Sequence, residues 1–403
     1  MWRSLHPNLK IRLITSVMTI FVSDMIFPFM AMYFSQFFGA TLAGFLLFIN
    51  VIISVLSGFI GGYLSDRFGR KKIMVLAQMI KFLSLSGMTI ANSQIWFSPL
   101  FTFLMLGVEN VASGLMHPSE EAMLIDVSTD ETRRFMYTIN YWVTNLGMAA
   151  GAAIGGMFFN SHRFTLFLLV SAFSLVILGL IVFCIKEVYH QLKNIDKNIS
   201  IYMHYLHVVN DKPFILFCIG SLLILSLECQ STNYIAVYLK KAFKPIIINH
   251  WFELDSYMMI SWMRIENTLI VVFLTLIVTR FIKKYSAYSV LFVGLSIYSL
   301  GYAMQTLSIQ WFGLVFAVLI ASVGELMYVP ISQSLLAALT KDKSRASYMA
   351  IYSSVFQVTK MFGALGIIIG SFLPSYIMGL IFFCVGLIGL KCYLKVGKKV
   401  YVK

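Results

Sequence analysis

Eleven ionisable side chains stand inside long apolar runs: Asp24, Lys81, Glu109, Glu120, Glu121, Asp126, Glu228, Arg264, Glu266, Glu325 and Lys360. A charge in hydrocarbon is expensive, so each is by default a functional candidate whose partner must be found. Glu325 is the strongest. It lies mid-run between Gly324 and Pro330 with no cation nearby in sequence, and a carboxyl group so placed can load and release a proton. Asp24, four residues before Pro28, and Glu228, four before Thr232, are the next candidates. Arg264 and Lys360 are the cations with which either acid could pair instead. Lys81 has a bland reading as a snorkelling or paired cation. Asp126, at the end of its run, reads as part of an ion-pair network with Asp66, Arg67 and Arg133. Adjacent helical residues point about 100° apart, so at most one of Glu120 and Glu121 faces a cavity.

A second constellation is the polar stretch Gly62-Tyr63-Leu64-Ser65-Asp66-Arg67-Phe68-Gly69-Arg70-Lys71-Lys72. Here Gly62 lets two helix ends approach, Asp66 closes a helix beside four cations, and Gly69 permits a tight reversal. The five cysteines show no CxxC spacing and no Cys/His cluster. They read as packing residues, and no metal site or cofactor is expected.

The chain that carries these groups has 403 residues, of which 59% are hydrophobic and only 12% charged. A water-soluble surface takes about a quarter or more of charged positions, so lipid must cover this one. Twelve runs approach the ~20 apolar residues that cross a bilayer, near 11–36, 42–64, 73–91, 96–124, 138–159, 164–185, 214–239, 258–282, 287–307, 311–338, 347–372 and 375–395. The first is too long for a cleaved signal and lacks a small-residue cleavage site. Of the 31 Lys and Arg, 24 fall on the side of the termini and only Arg163, Lys240, Lys241 and Lys244 on the other. Cytoplasmic loops hold the excess of cations, so both termini are expected in the cytoplasm of a multi-pass plasma-membrane protein. The net charge of +14 is then a topology signal and implies no nucleic acid. The polar stretch 186–213 divides six helices (1–185) from six (214–403).

The Gly62–Lys72 stretch resembles the signature loop between the second and third helices of the major facilitator superfamily. The resemblance implies an all-α fold of about twelve transmembrane helices in two halves related by an axis along the membrane normal. Thr279-Arg280-Phe281-Ile282-Lys283-Lys284 is a faint second copy that keeps the charge and loses the glycines. In the fifth run, Gly147, Gly151, Gly155 and Gly156 resemble the glycine-rich motif of the superfamily's antiporters, with Ala152 where that motif has proline. Small residues also let helices pack closely in lipid with no ion exchange. The segments around Asp126, Tyr141-Trp142, Asn145 and Gly324–Pro330 are similar to those of the superfamily's proton-coupled multidrug antiporters. That similarity implies proton and substrate handling at Glu325, while the signature loop implies state switching at Gly62, Asp66, Arg67, Gly69, Arg70 and, through its ion-pair network, Asp126. It also exposes departures: Asn140 and Thr232 stand where such transporters carry acids, and the last run has none. Asp24 or Glu228 would have to compensate.

The expected function is proton-coupled export of lipophilic or amphipathic compounds by alternating access, from a cavity that holds Glu325, Asp24, Glu228, Asn140 and Arg264. Tyr33, Phe34, Tyr141, Trp142, Tyr234, Trp262, Tyr328 and Tyr352 are candidate pocket aromatics. The expected partners are the small substrate, protons and membrane lipid, with the protein a monomer. A dedicated exporter of one metabolite, peptide antibiotic, siderophore or lipid-like molecule is the alternative, and a solute importer a further one. An intramembrane enzyme is disfavoured because HExxH, GxSxG and nucleotide-loop patterns are missing from the chain.

Overall fold

In lipid a backbone can satisfy its N–H and C=O groups only internally, and the chain complies. The computed structural model describes residues 6–127, 130–187, 208–249, 252–340 and 345–401. Most of the central stretch 186–213, the side chains of Arg133 and Arg134, and that of Tyr141 lie outside the described residues. Seven helices precede the stretch: α1 Pro7–Ile26, α2 Met30–Phe38, α3 Ala40–Phe68, α4 Arg70–Ile90, α5 Pro99–Asp126, α6 Asp130–Phe158 and α7 Arg163–Cys184. Among the described residues, seven follow: α8 Lys212–Ser231, α9 Tyr234–Ala242, α10 Ser256–Ile282, α11 Ala287–Leu307, α12 Trp311–Leu339, α13 Arg345–Gly370 and α14 Ser375–Tyr401.

Among the described residues, eleven spans are long and apolar enough to cross a membrane, with α1 and α2 counted as one and α8 and α9 as one. The twelfth long helix, α6, begins with the charges Asp130, Glu131, Arg133 and Arg134 and is not among the eleven. The result is an all-α polytopic membrane protein. Among the described residues, its β structure is a hairpin, Ile246–Asn249 against Phe252–Leu254, and a single bridge between Asn92 and Phe97. The β-branched run Ile246-Ile247-Ile248 before Asn249 was the available signal for the hairpin.

The chain forms two compact units, Met1–Gly39 with Phe45–Lys193, and Ala40–Gly44 with Asn194–Lys403. In the first, α1 packs on α6 and α7, and α4 on α5 and α7. Its core joins Met74 and Ala77 of α4, Leu115, Met116 and Met123 of α5, and Ile177 and Ile181 of α7. In the second, α8 packs on α13 and α14, α11 on α12 and α14, and α10 on α12. Large apolar side chains such as Phe59, Phe183, Leu276 and Phe372 remain exposed, as a lipid-facing surface requires.

The first span of each unit is broken. Pro28 lacks an N–H and cannot continue α1, so Phe27–Phe29 forms a single 3-10 turn before α2. No proline interrupts the second unit's first span. There Asn233 leaves helical geometry, and its Nδ2 donates to the Cys229 carbonyl at 2.7 Å. A side-chain amide thus replaces a helical partner.

Candidate functional site

The signature loop is built around Gly69, whose φ of +103° and ψ of 150° lie in a region open essentially to glycine alone. Arg70 follows and grips two carboxylates: Nη1 donates to Asp66, and Nε to Asp126 Oδ2 at 3.3 Å. Nη1 also reaches Ser65 Oγ at 3.2 Å. The network expected around Asp126 therefore centres on Arg70 and not on Arg67. The Arg67 guanidinium donates to Tyr63 Oη at 3.2 Å and lies over the Phe68 ring. Close helix approach likewise shifts by one residue. A Cβ on Gly61 would strike the Leu115 backbone, whereas one on Gly62 would make ordinary contact with Pro118 at 3.9 Å.

Glu187, just past α7, was not singled out from sequence. Its Oε2 accepts from Lys71 N at 3.0 Å, a carboxylate at the start of α4 where the helix dipole favours it. Lys71 Nζ also donates to Val182 O at 2.8 Å. The loop is thus tied to the end of α7. A methyl group on Gly69 would meet the Glu187 carboxylate at 2.8 Å, so Gly69→Ala is expected to cost about 1–3 kcal/mol in backbone strain alone. Thermal unfolding of the purified variant checks this, and an unchanged midpoint would refute it.

Asp66 makes a different prediction because its side chain is largely exposed. Exposed ion pairs contribute only about 0–1 kcal/mol, so Asp66→Asn should leave stability and ligand binding nearly intact while lowering transport. Parallel binding and flux measurements test it. Lost binding with conformational switching unchanged would remove Asp66 from the switch.

Two further ion pairs lie buried in the first unit. Lys81 Nζ meets Glu109 Oε1 at 3.0 Å, with Ser113 Oγ donating to the same oxygen at 2.7 Å. Arg12 Nη1 meets Glu120 Oε1 at 2.7 Å. Asp24 is buried on α1, one turn before the break. Its backbone neighbours rest on α6 at Gly151 and Gly155, where a Cβ would collide with the Phe21 and Met25 carbonyls. Gly147 faces Val17 less tightly. Asn140 is half-buried on the same helix. Tyr33 and Phe34 are fully buried and serve packing.

The second unit repeats this construction. Gly363, Gly366 and Gly370 of α13 seat Asn233, Gln230 and Tyr234 at the break between α8 and α9. Sequence reading missed these glycines, although their three- and four-residue spacing matches a helix face. Interrupted helices in corresponding positions of two repeats mark substrate and ion sites in secondary transporters.

Beside that break, Glu325, Glu228 and Arg264 come together. Asn267, one turn after Arg264 on α10, donates from Nδ2 to Glu325 Oε2 and to Ser322 Oγ, both at 2.9 Å. Arg264 attracts the Glu228 carboxylate, while Glu228 and Glu325 repel one another. Tyr298, Tyr302 and Tyr328 lie close enough to both acids to feel their charge. Glu325 is half-buried, and Glu228 keeps accessible surface on α8 although protein surrounds its carboxylate. Asp24 and Asn140 belong to the other unit. Asn267 escaped notice because it is polar without being ionisable, but its i+3 spacing from Arg264 put both on one face.

The Major Facilitator Superfamily profile matches residues 12–244 and 229–400. A "Na(+), Li(+), K(+)/H(+) antiporter" of Planococcus maritimus is 29% identical over 380 residues, covering 90% of this chain and 89% of that protein. The MFS-type transporter YqjV of Bacillus subtilis is 24% identical over 100% of this chain and 90% of its own. A POT family transporter crystallised with 5-aminolevulinic acid superposes with a TM-score of 0.77 at 14% identity, covering 98% of this chain and 96% of that one. The nucleoside transporter NupG gives 0.68 at 17% identity over 97% of this chain and 99% of its own. Likeness at such identities speaks for the fold alone. Two six-helix runs, a signature loop organised on Arg70 and profile matches along nearly the whole chain make this protein a membrane-embedded transporter belonging to the major facilitator superfamily.

Proposed function

We propose that the protein is a proton-coupled antiporter that exports amphipathic compounds carrying positive charge, with Glu325 and Glu228 as the groups that alternate between proton and cargo. The observation that carries this reading is the Glu325–Asn267 hydrogen bond beside Glu228 and Arg264. Away from the span ends, where Arg280, Lys391 and Lys395 stand, the acids of the second unit's spans are Glu228, Glu266 and Glu325, and the cations Arg264 and Lys360. Three against two leaves one negative charge in surroundings that penalise it. One proton or one cationic group removes the excess, and both together overshoot it. Mutual exclusion of that kind is what obligatory exchange needs.

Glu228 keeps accessible surface through which an ion can reach the pair, and the carboxylate of Glu325 is oriented by Asn267. The same excess charge would accept an alkali cation. That second reading is favoured by the relative in Planococcus maritimus named for Na(+), Li(+) and K(+) exchange. Purified protein in liposomes, with internal pH followed while salts and cationic or neutral amphiphiles are added singly, separates the two. Proton movement stimulated by amphipathic cations supports the proposal. Stimulation by Na(+), Li(+) or K(+) alone would replace the cargo and keep the site. No stimulation by either would remove antiport altogether.

The cation asymmetry also sets an orientation that labelling can test. Cysteine accessibility should place residues 186–212 and the C-terminus in the cytoplasm and residue 250 outside. Labelling of the 186–212 stretch from outside would overturn the orientation and the whole reading built on it.

A further inference from the structure

At the end of α4 remote from Gly69, the first unit holds a cavity of about 610 Å3 whose walls are the loop before α5 and the start of α7. Asn92, Gln94, Asn160, His162, Arg163 and Thr165 line it. No carboxylate occurs between residues 67 and 108 or between 132 and 186, the stretches that supply both walls. Arg163 therefore stands in a different environment from Arg12, Arg70 and Lys81, which all meet acids. Its guanidinium lies over the Tyr33 and Phe159 rings, 4.8 and 5.4 Å from their centroids, and its Nε donates to the Phe159 carbonyl at 3.3 Å. None of the ion pairs among the described residues includes it.

The wall opposite is fixed in advance. Asn92 Nδ2 donates to Met88 O and Thr102 Oγ1, both at 2.9 Å, and its Oδ1 accepts from Tyr33 Oη at 3.0 Å. Ser98 N closes the loop on Ala91 O at 2.9 Å. His162 offers α7 no side-chain cap, which leaves its first amides as further donors beside the cavity. Ile95 and Phe164 line the cavity and are exposed, as are Trp96, Phe97 and Phe158 close by in the chain, and tryptophan so placed belongs at a headgroup boundary.

We propose that this cavity binds the phosphodiester headgroup of an anionic phospholipid, with Arg163 as the principal contact and the apolar rim receiving the acyl chains. A phosphate group satisfies the guanidinium that no carboxylate meets. Free phosphate would use the polar floor and leave the rim without a purpose. A lipid uses both. The site is distinct from the Glu325 cluster, which lies in the other unit, and does not depend on the antiport reading.

Native mass spectrometry of the full chain released from nanodiscs of phosphatidylcholine and phosphatidylglycerol tests the assignment. Phosphatidylglycerol should be retained about tenfold over phosphatidylcholine, the ratio one charge-assisted contact supplies. Arg163→Gln should remove the preference. Because Arg163 also packs on Tyr33, Thr165→Glu is the second variant: it adds a carboxylate to an exposed wall and leaves that packing alone. It too should abolish the preference. Equal retention of the two lipids, an unchanged preference in Thr165→Glu, or displacement of phosphatidylglycerol by inorganic phosphate would overturn the lipid assignment.

Discussion

Replacing Glu325 with Gln is expected to abolish concentrative efflux, leave downhill movement of cargo measurable, and flatten the pH dependence of transport. The expectation follows from what the substitution keeps. A glutamine carbonyl accepts the hydrogen bond that Asn267 Nδ2 now gives Glu325 Oε2 at 2.9 Å, so the side chain retains its length and its anchor. Only titration is lost. The excess negative charge among the mid-span groups of the second unit disappears with it, and protons and cargo then have nothing to compete for. Removing a group on which exchange depends should reduce proton-driven flux far more than binding. Flux in liposomes with and without an imposed pH gradient reads the two effects separately. Should Glu325→Gln still drive full uphill, pH-dependent efflux, the proton must ride elsewhere. Glu228 is then the next group to test in the same unit, and Asp24 in the other.

The helices and the signature loop were legible in the sequence because each rests on local chemistry. Apolar length reports a span directly, and the Asp66 to Lys72 stretch carries charge and glycine that no hydrocarbon segment could hold. The break at Phe27–Phe29 was legible for the same reason, since Pro28 imposes it wherever it sits. The break at Asn233 was not. It arises from an amide that exchanges one backbone partner for another, and residues of that type also occur in unbroken helices. Partner identity was the least accessible layer. Nothing local says that Asp126 meets Arg70, that Arg12 meets Glu120, or that Glu187 caps α4, because these pairs are 56, 108 and 116 residues apart in sequence for Arg70–Asp126, Arg12–Glu120 and Lys71–Glu187 respectively. Asn267 lay between these cases. Its position on the Arg264 face could be read from spacing, but its partner on α12 could not.

The Lys81–Glu109 pair carries the other large prediction, on stability. Both residues are almost fully buried, at 8% and 3% exposure, and Ser113 completes the carboxylate's contacts. Deleting one partner strands the other charge, and breaking a buried pair typically costs about 3–5 kcal/mol. Glu109→Leu should therefore sharply lower the thermal midpoint of the purified protein. The cost belongs to the stranded ammonium and not to a lost attraction, so removing both charges should restore most of it. Glu109→Leu combined with Lys81→Met is expected to return near the native midpoint, since apolar replacements of buried pairs are often neutral or stabilising. This double variant also decides between a structural and a transport role. If the pair only closes charge between α4 and α5, the refolded double variant keeps pH-dependent efflux. Recovered stability with efflux still absent would place Lys81 and Glu109 in the coupling machinery beside Glu325, and the second unit would no longer account for the proton by itself.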